Sequence, residues 1–200
     1  MQASVKNISI LVLDNEKKIA GLVHDVLVKL GFSPHLILMA EDGYQGIDLM
    51  RSRPIDLVIT DWELLPTKEH QERAEKAVIR SEHGEFPPVN GASFVQCLRC
   101  FPKSPNPFVP VIMLTGPTLP NHILYARDAG VNEILMKPII AEDLARRIVA
   151  VIEQPRDFIT CPTYRGPCRR RKVMPLPEGM EERRKKDMKI IRHTPEGRHG

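Results

Sequence analysis

Four side chains able to do phosphate chemistry occupy equivalent places in this 200-residue chain, each just after a short run rich in Val, Ile and Leu. Asp14, with Asn15, follows Ile8–Leu13, and Asp61 follows Leu57–Thr60. Thr115 and Gly116 follow Val109–Leu114, and Lys137 and Pro138 follow Glu133–Met136. A carboxylate at the tip of a strand can act as a nucleophile toward a phosphoryl donor, provided its own charge and the donor's are neutralised. Two carboxylates about 4 Å apart repel by roughly 4 kcal/mol at an effective dielectric near 20. A divalent cation answers that repulsion, and Mg2+ suits it because it takes oxygen ligands and keeps several waters. Lys137 would add a fixed positive charge for phosphoryl oxygens. The Thr115 hydroxyl would donate a hydrogen bond only once phosphate is present, the differential contact that a switch requires.

Those residues need elements that carry them to one place. The apolar runs Ile8–Leu13, Leu36–Met39, Leu57–Thr60, Val109–Leu114 and Glu133–Met136 read as buried parallel strands. Between them lie helical patterns. Ile19, Leu22, Val23, Val26, Leu27 and Leu30 repeat at three and four and stop at Gly31, a helix end signal. Tyr44–Ser52, Ala92–Cys100, Ile123–Ala129 and Ala141–Ile152 continue the alternation. Strand then helix, five times, predicts a doubly wound five-stranded parallel α/β sheet with right-handed crossovers and helices on both faces. In such sheets function sits at the carboxyl ends of the strands, where the strand order reverses.

At this point six segments, "ILVLDNE", "AEDGYQGIDLM", "PIDLVITDWELLP", "NGASFVQCLR", "VPVIMLTG" and "AGVNEILMKP", stand in the order found in the CheY-like receiver domains of bacterial two-component response regulators. The resemblance spans residues 5 to about 153. It implies the flavodoxin-like (CheY-like) fold, a stand-alone receiver and a signalling protein rather than an enzyme. It also implies transfer of a phosphoryl group from a histidine kinase or phosphotransfer protein, and output through contact with a downstream protein. By the same resemblance Asp61 corresponds to the phosphoacceptor, Thr115 to the switch hydroxyl and Lys137 to the family's lysine. The Lys137–Pro138 bond corresponds to its cis peptide. Asp14 and Asp61 would hold Mg2+, with Glu63 offering the backbone carbonyl two residues beyond the acceptor.

Three features depart from that pattern. The acidic pair after the first strand reads Asp14 then Asn15, and the apolar phase of Ile19, Leu22, Val23 and Val26 forbids a one-residue slip that would restore it. Ile134 stands where the switch aromatic is usual, three residues before Lys137. An insertion of about 22 residues, roughly 67–88, separates the acceptor strand from the third helix. It carries Glu69 with Arg73 and Glu72 with Lys76 at the i to i+4 spacing of a short charged helix. A solvated excursion, a lid and a docking surface for a kinase are all compatible with it.

Bulk properties bound the rest. The 42% hydrophobic and 27% charged residues are those of a folded globular protein, and the length suits one domain with appendages. No apolar run approaches the roughly 18 residues that span a bilayer, so the expected place is the cytoplasm. From Pro155 onward there are 13 Lys or Arg against 6 Asp or Glu, whereas the remainder carries 16 against 19. The expected division is therefore a receiver over 1–154 and a basic, disordered tail over 155–200. That tail could be solvated, dock a protein or bind nucleic acid by counterion release, but no helix-turn-helix accompanies it and sequence-specific binding is not expected. "FITCPTYRGPCRRR" resembles a tail motif on some stand-alone receivers of proteobacteria. Cys97, Cys100, Cys161 and Cys168 admit a zinc site on paper, although the first pair falls inside a helix. Two other functions compete: a degenerate receiver acting as a phosphorylation-independent scaffold, motivated by Asn15 and Ile134, and a haloacid-dehalogenase-type phosphotransferase. The latter needs an aspartate two residues past its nucleophile, where Glu63 stands.

Overall fold

A computed structural model describes residues 7–72, 87–116, 120–162, 164–169 and 188–191. The alternation is present: β1 (Ile10–Leu13), α1 (Lys17–Lys29), β2 (Ile37–Ala40), α2 (Gly43–Ser52), β3 (Leu57–Asp61), α3 (Gly91–Cys100), β4 (Val111–Thr115), α4 (Pro120–Ala129), β5 (Glu133–Met136) and α5 (Ala141–Glu153). The strands form one parallel sheet in the order β2-β1-β3-β4-β5. Because side chains alternate along a strand, each run of Val, Ile and Leu feeds two cores. Leu11, Leu13, Val58 and Met113 pack with Ile47, Phe94, Leu98 and Ala126, on the face covered by α2, α3 and α4. Ile10, Val12, Leu57, Ile59, Ile112 and Leu114 pack with Val23, Leu27, Leu144 and Ile148, on the face covered by α1 and α5. The chain leaves β1 toward β2 on one side and returns to β3 on the other, so the reversal lies between β1 and β3, whose ends carry Asp14 and Asp61.

The expectation of a disordered tail from 155 needs correction for the described part. Phe158–Cys161 (β6), Tyr164–Pro167 (β7) and Lys189–Ile191 (β8) form a small antiparallel sheet in the order β7-β6-β8. Average charge concealed what individual residues do there. Phe158 is buried, with the Arg99 guanidinium 5.1 Å from its ring centroid and Phe108 edge-on at 5.4 Å. The tail arginines find partners on the domain: Arg156 donates to the carbonyls of Asn132 and Cys168, Arg165 to that of Arg99 (3.2 Å), and Arg169 pairs with Asp128 on α4 (3.1 Å). Of the basic runs, only Arg169 lies within the described residues.

Arg99 joins the tail to the body. Fully buried at the end of α3, it donates to the carbonyls of Gly130 (3.2 Å), Pro107 (2.8 Å) and Val109 (2.8 Å) and to the side-chain oxygen of Asn132 (3.2 Å). Burial pulls its guanidinium down to about 10, so it stays charged at neutral pH. Arg99→Ala should take the guanidinium donor from the three buried carbonyls, while Asn132 Oδ1 keeps the Val111 N–H (3.0 Å), lowering the unfolding free energy by about 3 kcal/mol or more in urea titrations. Arg99→Lys should not rescue it, because an ammonium cannot reproduce the planar fork.

Candidate functional site

The strand-end groups meet at the carboxyl rim of the sheet. Lys137 follows β5, and its Nζ lies 2.8 Å from Asp61 Oδ1 and 3.3 Å from Asp14 Oδ2. Both carboxylates are almost fully buried, and the lysine is about one-fifth exposed. Local backbone holds their other oxygens: Glu16 N–H donates to Asp14 Oδ1 (2.9 Å) and Glu63 N–H to Asp61 Oδ2 (3.0 Å). The Lys137 backbone is itself tied to β4, its N–H donating to Thr115 O (2.7 Å), and the Lys137–Pro138 peptide is cis as expected. Thr115 ends β4 one residue beyond the Leu114 that pairs with Asp61. Among the described residues its hydroxyl makes one long contact, 3.4 Å to Gly116 O. The hydroxyl thus ends the strand beside that of Asp61 and is held weakly.

Charge balance at this rim is incomplete: two carboxylates share one ammonium. Burial pushes the Asp14 carboxyl above its ordinary range, and the Asp61 charge adds to that push, against the Glu16 N–H and Lys137. Burial by itself would lower the Lys137 ammonium, but its hydrogen bond to Asp61 and the charges of Asp61 and Asp14 outweigh it and raise it. A hard, oxygen-only donor set with excess negative charge fits a divalent cation such as Mg2+. Among the expected ligands, Glu63 has its side chain in solvent, so its link to Asp61 is through the backbone. Asn15 is exposed beside Asp14 and supplies no charge. Ile134 is half-buried against the core on the α2–α3–α4 face.

Three features of the rim left little trace in the sequence. Gly91, the first residue of α3, donates its N–H to Trp62 O (3.0 Å), and a Cβ there would overlap the Asp61 carbonyl. The backbone around Asp61 is thus packed directly under a helix start, itself closed by a reciprocal Asn90–Ser93 capping box. Trp62 stacks on His122 of α4, with ring centroids 4.7 Å apart. Asp42 is the third. Fully buried, it caps α2 through Gln45 N–H (2.9 Å) and takes Thr67 N–H (2.8 Å), Thr67 Oγ1–H (2.6 Å) and His70 Nδ1 (2.8 Å) on its other oxygen. The D-x-x-Q spacing of Asp42 and Gln45 is the signal that could have found the cap; no spacing could have found the clasp on the insertion. The insertion's far end returns to the same helix start, where a Cβ on Gly43 would lie 2.7 Å from Pro88 Cβ. Residues 68–72 are helical, while Arg73 and Lys76 of the expected charge pairs lie outside the described residues. Of the cysteines, Cys97 is buried and Cys100 exposed, and no group of three or more metal-ligating side chains occurs among the described residues.

The donors around Asp42 outweigh its burial and hold its carboxyl below the ordinary aspartate range. A lowered folded value means that its stabilisation is complete above the unfolded value of about 3.9 and is lost as pH falls through the folded one. Asp42→Asn should therefore cost about 1–2 kcal/mol near neutrality. In pH-dependent unfolding measurements the gap to the wild type should close only below about pH 4.

Known proteins bear on this arrangement. No protein-family model matches the chain. It is 24% identical over 149 residues to the chemotaxis protein CheY-3 of Vibrio cholerae, spanning 74% of this chain and 95% of that one. To the chemotaxis protein CheY of Pseudomonas aeruginosa it is 23% identical over 145 residues, 72% and 96% of the two chains. Among solved structures it resembles Vibrio cholerae CheY4 (TM-score 0.53, 22% identity, 71% and 96% covered). It also resembles the receiver domain of the sensor histidine kinase PA1611 of Pseudomonas aeruginosa, which has magnesium coordinated in its active site cleft (TM-score 0.52, 20% identity, 71% and 94% covered). The fold is that of CheY-like receiver domains, and nearly the whole length of these relatives is accounted for by about three-quarters of this chain.

Proposed function

We propose that this homologue of CheY, with the CheY-like receiver fold, is a response regulator that accepts a phosphoryl group on Asp61 and signals by changing its protein contacts. The observation that carries the reading is the shared ammonium: Lys137 Nζ within 3.3 Å of carboxylates from two other strands. The donor would be a phosphohistidine of a kinase or phosphotransfer protein. An Asp61 oxygen attacks phosphorus, the P–N bond breaks as the O–P bond forms, and a phosphohistidine protonated at its other ring nitrogen leaves as neutral imidazole, keeping that proton. Asp14, Asp61 and the backbone at Glu63 would hold Mg2+, which offsets the charge that gathers on the phosphoryl oxygens. Lys137 then turns from Asp61 toward those oxygens. The Thr115 hydroxyl, poorly engaged beforehand, becomes a donor to them. The added charge of about −1.5 to −2 is what distinguishes the two states. The face made by α4, β5 and α5, where Ile123, Leu124, Met136 and Ile140 are exposed, is the surface that would be remodelled.

Incubation with Mg2+ and acetyl phosphate should add one phosphoryl group by intact mass, and Asp61→Ala or removal of the metal by a chelator should abolish the gain. A gain that persists in Asp61→Ala would sink the reading. Asn15→Asp should restore a second acidic group beside Asp14. It should lower the Mg2+ concentration for half-maximal phosphorylation roughly tenfold if the added attraction is worth ~1.4 kcal/mol.

A further inference from the structure

Directly beyond Asp61 stands the only tryptophan of the chain. Its backbone has little freedom: Trp62 N–H donates to Leu114 O (2.9 Å) on β4, and its carbonyl accepts from Gly91 N–H (3.0 Å) at the start of α3. Its indole reaches across to α4. There it stacks nearly parallel on the third residue of the helix, His122, at 4.7 Å and 15°, and meets Tyr125, one turn on, edge-first at 6.0 Å and 78°. The Tyr125 hydroxyl in turn reaches Gln96 Oε1 of α3 at 3.4 Å. His122 Nδ1 is enclosed and has no hydrogen-bond partner among the described residues, so that edge of the ring has no polar anchor against displacement. Meanwhile the position that in similar receivers carries the switch ring is aliphatic Ile134, half-buried and without a group that could follow Thr115 by hydrogen bonding.

We infer that the Trp62–His122 stack is the link that carries the state of Asp61 to α4. This rests on the phosphoryl-accepting reading above and names the residue pair through which it is regulated. Recruitment of Thr115 and Lys137 to a phosphorylated Asp61 pulls on the end of β3, and the next residue passes the displacement through its ring to the first turn of α4. His122 is a positioning residue in this scheme: it touches neither donor nor acceptor. An aromatic pair can shift a two-state equilibrium by roughly two- to tenfold. A full 1:99 to 99:1 change needs about 10⁴-fold, so the stack acts together with the Thr115 and Lys137 contacts.

The test uses the full chain with Mg2+ and acetyl phosphate. Phosphorylation is read by intact mass, the state of α4 by amide hydrogen exchange over Pro120–Ala129, and the stack by emission of Trp62. In the wild type, phosphorylation should change both α4 protection and Trp62 emission. In His122→Ala, the mass gain on Asp61 should be retained while the phosphorylation-dependent change in α4 protection is lost. His122→Phe, which keeps a ring but no ring nitrogen, should restore it. A wild-type-sized α4 response in phosphorylated His122→Ala would overturn the inference and leave the phosphoryl-accepting reading standing. Failure of the wild type to gain mass would overturn both. Loss of the response in His122→Phe as well as His122→Ala, with phosphorylation intact, would also overturn it, because stacking would then not be the property that matters.

Discussion

One half-buried ammonium shared by two buried carboxylates is the constraint around which the rest is arranged. Lys137 lies 123 positions from Asp14 in the chain, yet its Nζ reaches both Asp14 and Asp61. Only a parallel sheet with β1 and β3 side by side and β5 two strands away can bring the three carboxyl ends to one rim. Were the lysine elsewhere, the carboxylates would face each other in a place where desolvation already disfavours their charge. The apolar strands serve that requirement, since filling both faces of the sheet leaves polar chemistry only at its edge. Even so two carboxylates face one ammonium, an excess of negative charge that suits a cation.

The rim is held by short, local devices. Backbone N–H groups two residues beyond each carboxylate fix one oxygen of Asp14 and one of Asp61, which aims the remaining oxygens at Lys137. Gly91 lets the start of α3 lie against the carbonyl of Asp61. Asp42 does two jobs, accepting the Gln45 N–H at the start of α2 and tying down the root of the insertion. Because loop closure costs grow only slowly with length, an excursion whose two ends return to the same helix start can be accommodated without disturbing the sheet. The insertion therefore enters next to the site while leaving the strand ends where the chemistry needs them.

At the opposite edge a second buried cation does structural work. Arg99 gathers carbonyls from the segments leading into β4 and β5, and its guanidinium supports Phe158 of the small sheet. Arg169 binds Asp128 at the end of α4, so the two ends of that helix touch different parts of the protein: Trp62 at its start, the tail at its end. The Asp61 rim and the tail are thereby joined by one helix.

Periodicity and the residues at strand ends determined the order of strands and helices and the identity of Asp14, Asp61, Thr115 and Lys137 as neighbours, while the insertion was visible only against the receiver pattern that the chain resembles. These were legible because a buried parallel strand must be a run of apolar residues, and its first polar residue must emerge at the rim. The tail sheet, the Asp42 clasp and the Trp62–His122 stack were decided by tertiary structure. Each joins residues far apart in sequence through a single side chain, and such contacts leave no period or composition to read. Charge averaging concealed the tail most of all: arginines that look solvated along the chain are paired with carbonyls and carboxylates that only folding brings within reach.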